Sequence, residues 1–397
     1  MGSIRRNLVI LGLGTVPLTS VAQARREAKR KLPRSIYWYT EAGTELRRTV
    51  RANRDGFKEI GLQARVLDSH EPRKLSTTVL GREISMPLIT TPAGFIRIAH
   101  PDGELGVARA ADAAGTAVGI GILASYPIEA ITANARDVWF QLYMLGGREG
   151  SAVSIERAKE AGCRVLIITV DFAALSGAQD YQRGHAGVPD RVDLPTALKY
   201  APEMLTRPLW ALEFLRGGVD LRFPNAPGNA NLTASQVGAG IMAHPPTWDD
   251  IAWVRKQWDG PLVVKGITST EDARRAVDEG VNAISISNHG GNSLDGSPAT
   301  IRVLPEIVDV VGNDLEVLLD GGVRRGSDVV KALALGAKAV MVGRPYIWAL
   351  AAGGEQGVRQ ILEVYRRGIE GTLTLLGCPS VEDLNPSHLR LPQSFGQ

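Results

Sequence analysis

The chain has 397 residues, of which 44% are hydrophobic and 22% are charged, so it can bury a large core. Its net charge of +3, with no dense basic run interleaved with aromatic residues beyond the N-terminus, excludes a dedicated nucleic-acid binder. Cys163 and Cys378 are far apart in sequence, which excludes a disulfide framework and a cysteine metal site and favours a reducing compartment.

The N-terminal segment allows two interpretations. An apolar run at residues 8–16 follows Arg5-Arg6 and precedes Ala22-Gln23-Ala24, a pattern typical of a secretory signal peptide, and the run is too short to span a membrane. Residues 19–31 nevertheless predict a helix that begins at a Thr or Ser cap and ends before Pro33. Because cleavage would cut through this helix, we predict a cytoplasmic protein and keep export as the alternative.

An aromatic cluster, Tyr37-Trp38-Tyr39, comes next, and it either packs on the following domain or closes a pocket. The segment up to residue 77 is mixed and polar. We therefore predict that residues 1–80 form an N-terminal helical extension, which packs on a domain formed by residues 81–397.

That domain alternates strand-like and helical patterns. Strands are predicted at residues 87–91, 117–122, 139–143, 165–170, 262–265, 283–287, 316–319 and 339–342. Helices between them are predicted at residues 104–114, 151–161, 247–258, 270–279, 305–311 and 326–335. Eight such alternations are typical of an α/β protein with the (β/α)8 TIM-barrel fold. A Rossmann fold is the alternative, but no G-x-G-x-x-G motif follows the first strand.

A long insertion follows the fourth predicted strand. Residues 176–246 are rich in Pro, Gly, Asn and Ala, with one helical piece predicted around 195–216. A long, loosely patterned loop on the ligand-binding face of a barrel is typically a lid or a substrate-specificity element.

Polar and small residues follow the predicted strands, and the carboxyl ends of barrel strands meet at one face, where ligands bind. These residues are Pro92, Ala93, Gly94, Gln141, Tyr143, Thr169, Asp171, Lys265, Ser287, His289, Asp320, Gly321, Gly322, Arg324, Gly343 and Arg344. His289 lies in a polar turn directly after the sixth strand, so it is a candidate general base. An isolated loop histidine is more often structural, but a lysine, an aspartate and two arginines at the same end favour catalysis.

The ends of the seventh and eighth strands predict a phosphate site. Gly321-Gly322 and Gly343 expose backbone N–H groups, and Arg324 and Arg344 add positive charge. The loops after these two strands commonly bind a phosphate in barrels. The alternative is that the glycine pair only forms a tight turn.

A flat ring beside the phosphate completes the predicted ligand. Lys265 can stabilise negative charge on a reduced ring, and the small residues Pro92-Ala93-Gly94 let the ring approach the backbone. Groups that can hydrogen-bond a polar ring edge come from Gln141, Thr169 and Ser287. Together these residues predict a flavin mononucleotide (FMN) site, and no metal site is predicted.

Seven stretches, in order along nearly the whole chain, resemble the FMN-dependent α-hydroxy-acid oxidising enzymes, which include glycolate oxidase, lactate oxidase and mandelate dehydrogenase. They are Lys31-Leu32-Pro33, His100-Pro101-Asp102-Gly103-Glu104, Phe140-Gln141-Leu142-Tyr143, Val264-Lys265-Gly266, Ser287-Asn288-His289-Gly290-Gly291, Leu319-Asp320-Gly321-Gly322-Val323-Arg324-Arg325-Gly326 and Val342-Gly343-Arg344-Pro345. The resemblance implies a TIM barrel, FMN, and His289 as a base that Asp171 orients and charges. It also implies that Tyr39 and Tyr143 contact the substrate, and that the protein is a homotetramer.

Departures from the family bear on the substrate. The family binds the carboxylate of simple hydroxy acids with two arginines, and the corresponding positions here are Asn292 and Ala178. A carboxylate in a partly dry site needs such partners, each worth about 1.5–3 kcal/mol. Lactate and glycolate are therefore not expected as substrates, and Arg183 has the wrong spacing to compensate. Asn292 becomes a predicted substrate-binding residue, and Gly121 stands where a serine beside the flavin is common.

Within the family, the chain most resembles the mycofactocin-biosynthesis branch, at residues 205–210, 287–296 and 383–386. This resemblance implies oxidative deamination of a peptide-derived tyramine–valine lactam, whose amine becomes a ketone in an α-keto amide. Ala178 and Tyr39 depart from that branch, so a related enzyme for another amine or alcohol is an alternative. Two further alternatives are a conventional L-2-hydroxy-acid oxidase or dehydrogenase of the lactate, glycolate or mandelate type, and a flavin-binding barrel without redox turnover.

The predicted partners are thus a small-molecule or peptide-derived substrate and an electron acceptor. The acceptor stays open between oxygen, a quinone and a protein, although Gly94, where oxidases often carry alanine, favours an acceptor other than oxygen. Neither nucleic-acid binding nor a stable membrane span is predicted.

Overall fold

The computed structural model describes residues 17–67, 71–174, 194–217, 222–228, 232–393 and 395. The apolar run at residues 8–16, the positions Ala178 and Arg183, and part of the predicted insertion lie outside the described residues. Among the helices of the described ranges, none combines the length and the apolar character that a membrane crossing requires.

Eight parallel strands form a closed barrel, which confirms the predicted (β/α)8 fold. In chain order they are β1 (Leu88–Thr90), β2 (Val118–Gly121), β3 (Val138–Leu142), β4 (Val165–Thr169), β5 (Leu262–Ile267), β6 (Ala283–Ile286), β7 (Glu316–Leu319) and β8 (Ala339–Val342). Around the barrel the order is β7-β8-β1-β2-β3-β4-β5-β6, and β6 pairs with β7 to close it. The strands are Val- and Ile-rich because they are buried on both faces.

Helices surround the barrel. They are α1 (Val21–Lys31), α2 (Arg34–Glu41), α3 (Arg48–Glu59), α4 (Gly103–Ala114), α5 (Ile128–Thr132), α6 (Gly147–Glu160), α7 (Leu194–Leu205), α8 (Pro208–Arg216), α9 (Ala234–Ala243), α10 (Trp248–Gln257), α11 (Thr270–Asp278), α12 (Thr300–Val311), α13 (Gly326–Ala334) and α14 (Arg344–Leu376). The six predicted barrel helices correspond to α4, α6, α10, α11, α12 and α13. Helix α12 begins at Thr300 rather than at Pro305, because Ile301 and Leu304 are buried in the core.

The insertion differs from its prediction. The helical piece predicted over residues 195–216 is two helices, α7 and α8. Pro208 begins α8, because proline lacks the N–H that a helix interior needs but a first turn does not. Helix α9 has no counterpart among the predictions. Its start is fixed by a capping box, in which the Thr233 hydroxyl accepts the N–H of Gln236 and the Gln236 side chain accepts the N–H of Thr233.

The helix predicted at residues 19–31 is present as α1. The Ser20 hydroxyl caps it by accepting the N–H of Gln23 at 3.2 Å. Ala24 and Ala28 are fully buried where α1 packs along α14. The Ala22-Gln23-Ala24 sequence therefore lies inside a packed helix. Helix α3 is a further element without a counterpart among the predictions.

Helix α14 is broken at Gly353 and Gly354, where the backbone leaves the helical conformation. The N–H of Glu355, which restarts the helix, donates to the Asp102 carboxylate at 2.8 Å. The Lys31 ammonium donates to the carbonyl of Ala352 at 2.5 Å, on the other side of the break. Two of the stretches that resemble the family, those of Lys31 and Asp102, therefore support this break.

Candidate active site

A cavity of about 520 Å³ opens at the carboxyl ends of the barrel strands. Of the predicted site residues, those that line it are Tyr39, Pro92, Ala93, Gly94, Tyr143, Lys265, His289, Asn292, Asp320, Gly321, Gly322, Arg324, Gly343 and Arg344. Those that do not are Gly121, Gln141, Thr169, Asp171 and Ser287. Two residues of this second set hold lining residues in place, since Asp171 contacts His289 and Ser287 contacts Lys265.

His289 and Asp171 form a hydrogen-bonded pair. The Nδ1 atom of His289 lies 3.0 Å from the Asp171 Oδ1 atom, which makes Nδ1 the protonated nitrogen of the neutral ring and leaves Nε2 as its acceptor. His289 has a left-handed backbone (φ 54°), and its N–H donates to the Ser287 hydroxyl at 3.1 Å. Burial alone would raise the pKa of Asp171, but His289 and Lys265 outweigh it, so the pKa is lowered. Asp171 is therefore an anion that holds the imidazole in place.

A bulge in β5 leaves space for the Asp171 side chain. The pairing of β5 with β6 shifts register between Lys265 and Ile267, and Gly266 between them has a φ of +119°. A Cβ atom at Gly266 would lie 2.7 Å from the Asp171 Cβ, which is closer than real side chains approach. Only glycine satisfies both the conformation and the contact.

Lys265 is the buried cation of the cavity floor. Its ammonium donates to the Ser287 hydroxyl at 2.9 Å and lies 3.3 Å from the Asp320 carboxylate, to which Ser287 also donates at 2.9 Å. Burial alone would lower the pKa of Lys265, but Asp320 and Asp171 outweigh it, so the pKa is raised. Lys265 is consequently a permanent positive charge below the cavity.

Among the described residues, Gln141 Nε2 and Thr91 Oγ1 are buried polar atoms without a hydrogen-bond partner. Thr91 lines the cavity, and Gln141 lies directly behind the lining. Buried polar groups are almost always hydrogen-bonded, so these atoms are suited to a ligand with a polar edge. Thr91 directly follows β1 and was not among the predicted site residues, although its place after a strand was a signal in the sequence.

Two half-buried arginines, Arg324 and Arg344, mark one end of the cavity. Arg344 donates to the carbonyls of Thr40 (3.1 Å), Gly290 (2.8 Å) and Ala42. Burial, with a contribution from neighbouring Arg324, lowers the pKa of Arg344 to about 9. Burial likewise lowers the pKa of Arg324. Two desolvated cations of like charge are unfavourable unless an anion lies between them, so this end fits a phosphate.

Residues 28–391 match the FMN-dependent dehydrogenase family. The chain belongs to this family. Pre-mycofactocin synthase of Mycolicibacterium smegmatis is 46% identical over 381 residues, which cover 95% of this chain and 94% of that protein. Glycolate oxidase 3 of Arabidopsis thaliana is 38% identical over 374 residues, with 94% and 96% covered. The crystal structure of the monotopic membrane protein (S)-mandelate dehydrogenase has a TM-score of 0.84 and 34% identity, and the match covers 95% of this chain and 100% of that one.

Membership of the FMN-dependent dehydrogenase family confirms the predicted resemblance, the cofactor and the class of enzyme, an FMN-dependent oxidoreductase. The residues present fit that cofactor. The unpaired amide of Gln141 and the hydroxyl of Thr91 suit the edge of a flavin, and Arg324 and Arg344 suit its phosphate.

Two tyrosines, Tyr39 and Tyr143, line the cavity. Burial, with Asp171 nearby, raises the pKa of Tyr143, and burial raises the pKa of Tyr39 to about 12. Both are therefore neutral phenols that can donate a hydrogen bond. Of the aromatic cluster, Tyr37 is buried and donates to Glu41, so only Tyr39 of the two tyrosines serves the cavity.

Asn292 and Gly94 both bear on the departures from the family pattern. Asn292 lines the cavity, and its amide donates to the His289 carbonyl at 3.1 Å.

The presence of glycine at position 94 has a steric cause, since a Cβ atom there would lie 2.7 Å from the Cβ of Leu123. The glycine is thus required by packing, and it no longer favours one electron acceptor over another.

The apolar residues that form one wall of the cavity were not predicted from the sequence. Phe172 directly follows Asp171, and its ring lies 5.3 Å from the His289 ring and 5.9 Å from the Tyr143 ring. Other apolar residues of the lining are Phe95, Ile96, Leu123, Phe223, Val237 and Ile241. The cavity therefore has an apolar wall beside the imidazole in addition to its charged residues.

Proposed function

We propose that this FMN-dependent oxidoreductase oxidises a carbon that bears an amine or a hydroxyl group, in a substrate without a carboxylate. The observation that carries the proposal is the lining near His289. Within the described residues, the lining beside His289 includes Asn292 and the ring of Phe172. Charged residues of the lining already have partners, since Lys265 lies 3.3 Å from the Asp320 carboxylate and Arg344 donates to three backbone carbonyls. Among the described residues, a carboxylate there would lose its water without gaining a free charged partner, at a cost of several kcal/mol.

The proposed role of His289 is to take a proton from the amine or hydroxyl through Nε2, because Nδ1 is committed to Asp171. Asp171 stabilises the imidazolium that results. Tyr39 and Tyr143 donate hydrogen bonds to the substrate, and Asn292 offers an uncharged amide. FMN, when bound, would supply the hydride acceptor for the oxidation. Lys265 supplies a fixed positive charge for the negative charge that this transfer brings.

We assign FMN binding to the residues of the cavity floor and the arginine end. They are Pro92, Ala93, Gly94, Gly121, Gln141, Thr169, Lys265, Ser287, Asp320, Gly321, Gly322, Arg324, Gly343 and Arg344. The support is their position in or directly behind the cavity lining, together with the unpaired amide of Gln141.

An amine as the reacting group is what the resemblance to the mycofactocin-biosynthesis branch implies, and a relative named pre-mycofactocin synthase is 46% identical. A hydride leaves the carbon and a proton leaves the nitrogen to give an imine, and water then adds to the imine and releases ammonia and a ketone. A conventional L-2-hydroxy-acid oxidase or dehydrogenase is the second candidate, favoured by Tyr39, which lines the cavity as the resemblance to the hydroxy-acid enzymes implies.

Matched neutral and charged donors test the proposal. The FMN-loaded protein is mixed without oxygen with phenylglycinamide and phenylglycine, and with mandelamide and mandelate, and the bleaching of the flavin is followed. We expect an amide to bleach the flavin at least about 10-fold faster than its carboxylate, the loss expected when a buried charge has no partner. Faster bleaching by the carboxylates would establish the hydroxy-acid function instead.

His289→Ala tests the base. The variant should bind FMN normally, because the imidazole is not part of the proposed cofactor contacts, and its bleaching should slow by about 100- to 10,000-fold. Flavin content and absorbance before mixing are the control. A variant that bleaches at the wild-type rate would refute the role of His289.

The remaining predictions concern the setting of the enzyme. We propose a cytoplasmic homotetramer with its N-terminal extension at residues 1–80 and an insertion at 176–246, which uses oxygen, a quinone or a protein as acceptor. Light scattering at several protein concentrations would test the tetramer, and reoxidation of the bleached flavin by each acceptor would identify the partner.

A further inference from the structure

The apolar part of the cavity has a roof, and helix α9 of the insertion forms it. Ala234, Val237, Gly238 and Ile241 line the cavity. Their spacing of three, four and seven residues places them on one face of the helix. Ser235, Gln236 and Ala239, on the other side, are exposed. One face of α9 is therefore directed at the cavity and the other at solvent.

The wall beside this roof is aromatic. Phe172 lies against both His289 and Tyr143, as described above, and Phe223 packs on Phe95 with 4.8 Å between ring centres. All of these rings belong to the lining. The space next to the imidazole is thus bounded by carbon on several sides, which suits a flat apolar group.

Gly238 leaves a gap in the roof. A Cβ atom there would meet no other atom within 4 Å, although the residue is half-buried and lines the cavity. Gly240, two residues on, differs, because a Cβ atom there would lie 2.6 Å from the Leu145 side chain. Glycine inside a helix is unfavourable compared with alanine. At Gly240 the Leu145 side chain occupies the space, whereas at Gly238 none of the described residues fills it.

We infer that the substrate carries an uncharged apolar group about the size of an aromatic ring, which lies between Phe172 and the gap at Gly238. Phe172 and Gly238 are then specificity-determining residues, and a substrate with only a methyl group at this position is poor. The inference rests on the proposed function for the place of the reacting carbon beside His289. It adds the shape and polarity of the remainder of the substrate.

Binding of two neutral keto amides to the FMN-loaded protein tests the inference without requiring turnover. Benzoylformamide and pyruvamide differ only in a phenyl against a methyl group, and their binding is followed through the change in flavin absorbance. We expect a Kd for benzoylformamide at least about 10-fold lower than for pyruvamide. Equal dissociation constants, or no binding of benzoylformamide, would overturn the inference.

Gly238→Leu provides the second test. The leucine fills the gap, so the Kd of benzoylformamide should rise at least about 10-fold while that of pyruvamide changes less than about 2-fold. Gly371→Leu is the matched control, since Gly371 is also helical with open space around its Cβ position, but on the exposed side of α14. It should change neither constant. Equal weakening of both ligands by Gly238→Leu would contradict the assignment.

Two measurements separate failure of this inference from other failures. Flavin content and Tm show whether Gly238→Leu folds, and Gly238→Ala, which adds one methyl group to a helix, is the milder variant. The donors described above report on the proposed function separately. Faster bleaching by carboxylates would refute that function. If carboxylates with a phenyl group were still preferred over those with a methyl group, the inference about the apolar part of the cavity would remain supported.

Discussion

At the scale of single residues, the bulge at Gly266 decides how closely Asp171 approaches β5. In Gly266→Ala, the new methyl group would overlap with the Asp171 side chain, which already lies 2.7 Å from its position. We expect Asp171 to move, the contact with His289 to lengthen, and flavin bleaching to slow by about 100-fold.

Gly280→Ala is the control for this prediction. Gly280 also has a positive φ (+68°), but no atom lies within 4 Å of its Cβ position. The substitution should lower the free energy of unfolding by about 1–2 kcal/mol through backbone strain and leave bleaching unchanged. Equal bleaching rates in the two variants would show that Gly266 does not position Asp171.

Glu104 is a buried acid outside the cavity, and it predicts a pH-dependent stability. One of its oxygens accepts the N–H of Ser125 at 3.0 Å, and the other has no hydrogen-bond partner among the described residues. Burial raises the pKa of Glu104 from 4.5 to about 7. The folded protein therefore keeps this proton over a pH range in which the unfolded chain has lost it. The free energy of unfolding should fall by about 3 kcal/mol as the pH rises from about 4.5 to about 7.

Glu104→Gln should remove this pH dependence, because the amide keeps the shape and cannot ionise. Urea unfolding on both sides of this pH range measures the difference. Glu83→Gln, at an exposed glutamate, should behave as the wild type. A pH profile of Glu104→Gln identical to that of the wild type would mean that another group causes it.

The polar and charged residues of the site were easier to predict from the sequence than its apolar residues. Lys265, His289 and Arg344 are polar or charged residues at the ends of apolar runs, where such residues stand out. Phe172 and Val237 could not be predicted as lining, because an apolar residue carries the same signal whether it faces the core or a cavity.

At the scale of elements, helix α3 holds the loop that carries His289. The amides of Asn53 on α3 and Asn288 exchange two hydrogen bonds, at 2.8 and 2.9 Å, and both residues are almost fully buried. Asn53→Ala would leave the Asn288 amide partly unpaired. We expect the free energy of unfolding to fall by about 1–3 kcal/mol, measured by urea denaturation of the FMN-loaded protein.

A double-mutant cycle with Asn288→Ala is the check on this prediction. If the two amides stabilise the protein through each other, the double variant should lose less than the sum of the single variants. Strict additivity would mean that each asparagine acts through other contacts, such as the bond from Asn288 to the Pro298 carbonyl.

Strands were easier to predict than the helices of the insertion. Continuous apolar runs such as Val165–Thr169 indicate strands buried on both faces. Helix α9 contains Gly238 and Gly240, which weaken a helical signal, and α3 is mostly polar, so neither was predicted. Their tertiary contacts stabilise them more than their own sequences do.

At the scale of the whole molecule, Arg344 connects three parts of the fold through the predicted phosphate site. It binds the carbonyls of Thr40 and Ala42 at the N-terminal helices and of Gly290 in the loop of His289, and it begins α14. FMN should therefore stabilise the whole protein, by about 2.7 kcal/mol at a concentration 100 times its Kd.

Arg344→Ala should raise the Kd of FMN by at least about 10-fold and shrink the increase in Tm that FMN causes, because a charge-assisted contact is lost. Differential scanning fluorimetry with and without FMN measures both. Arg325→Ala, an exposed arginine in the neighbouring loop, is the control and should retain the full increase. An unchanged increase in Arg344→Ala would place the phosphate elsewhere.

The broken helix α14 has a consequence for recognising distant homologues. Lys31 and Asp102 satisfy backbone groups on either side of the break, a task that has nothing to do with oxidation. Sequence surveys keyed to these two positions will collect proteins that share the architecture, including any that have lost catalysis. Sorting such a collection by chemistry requires the positions of Asp171, His289 and Asn292 instead.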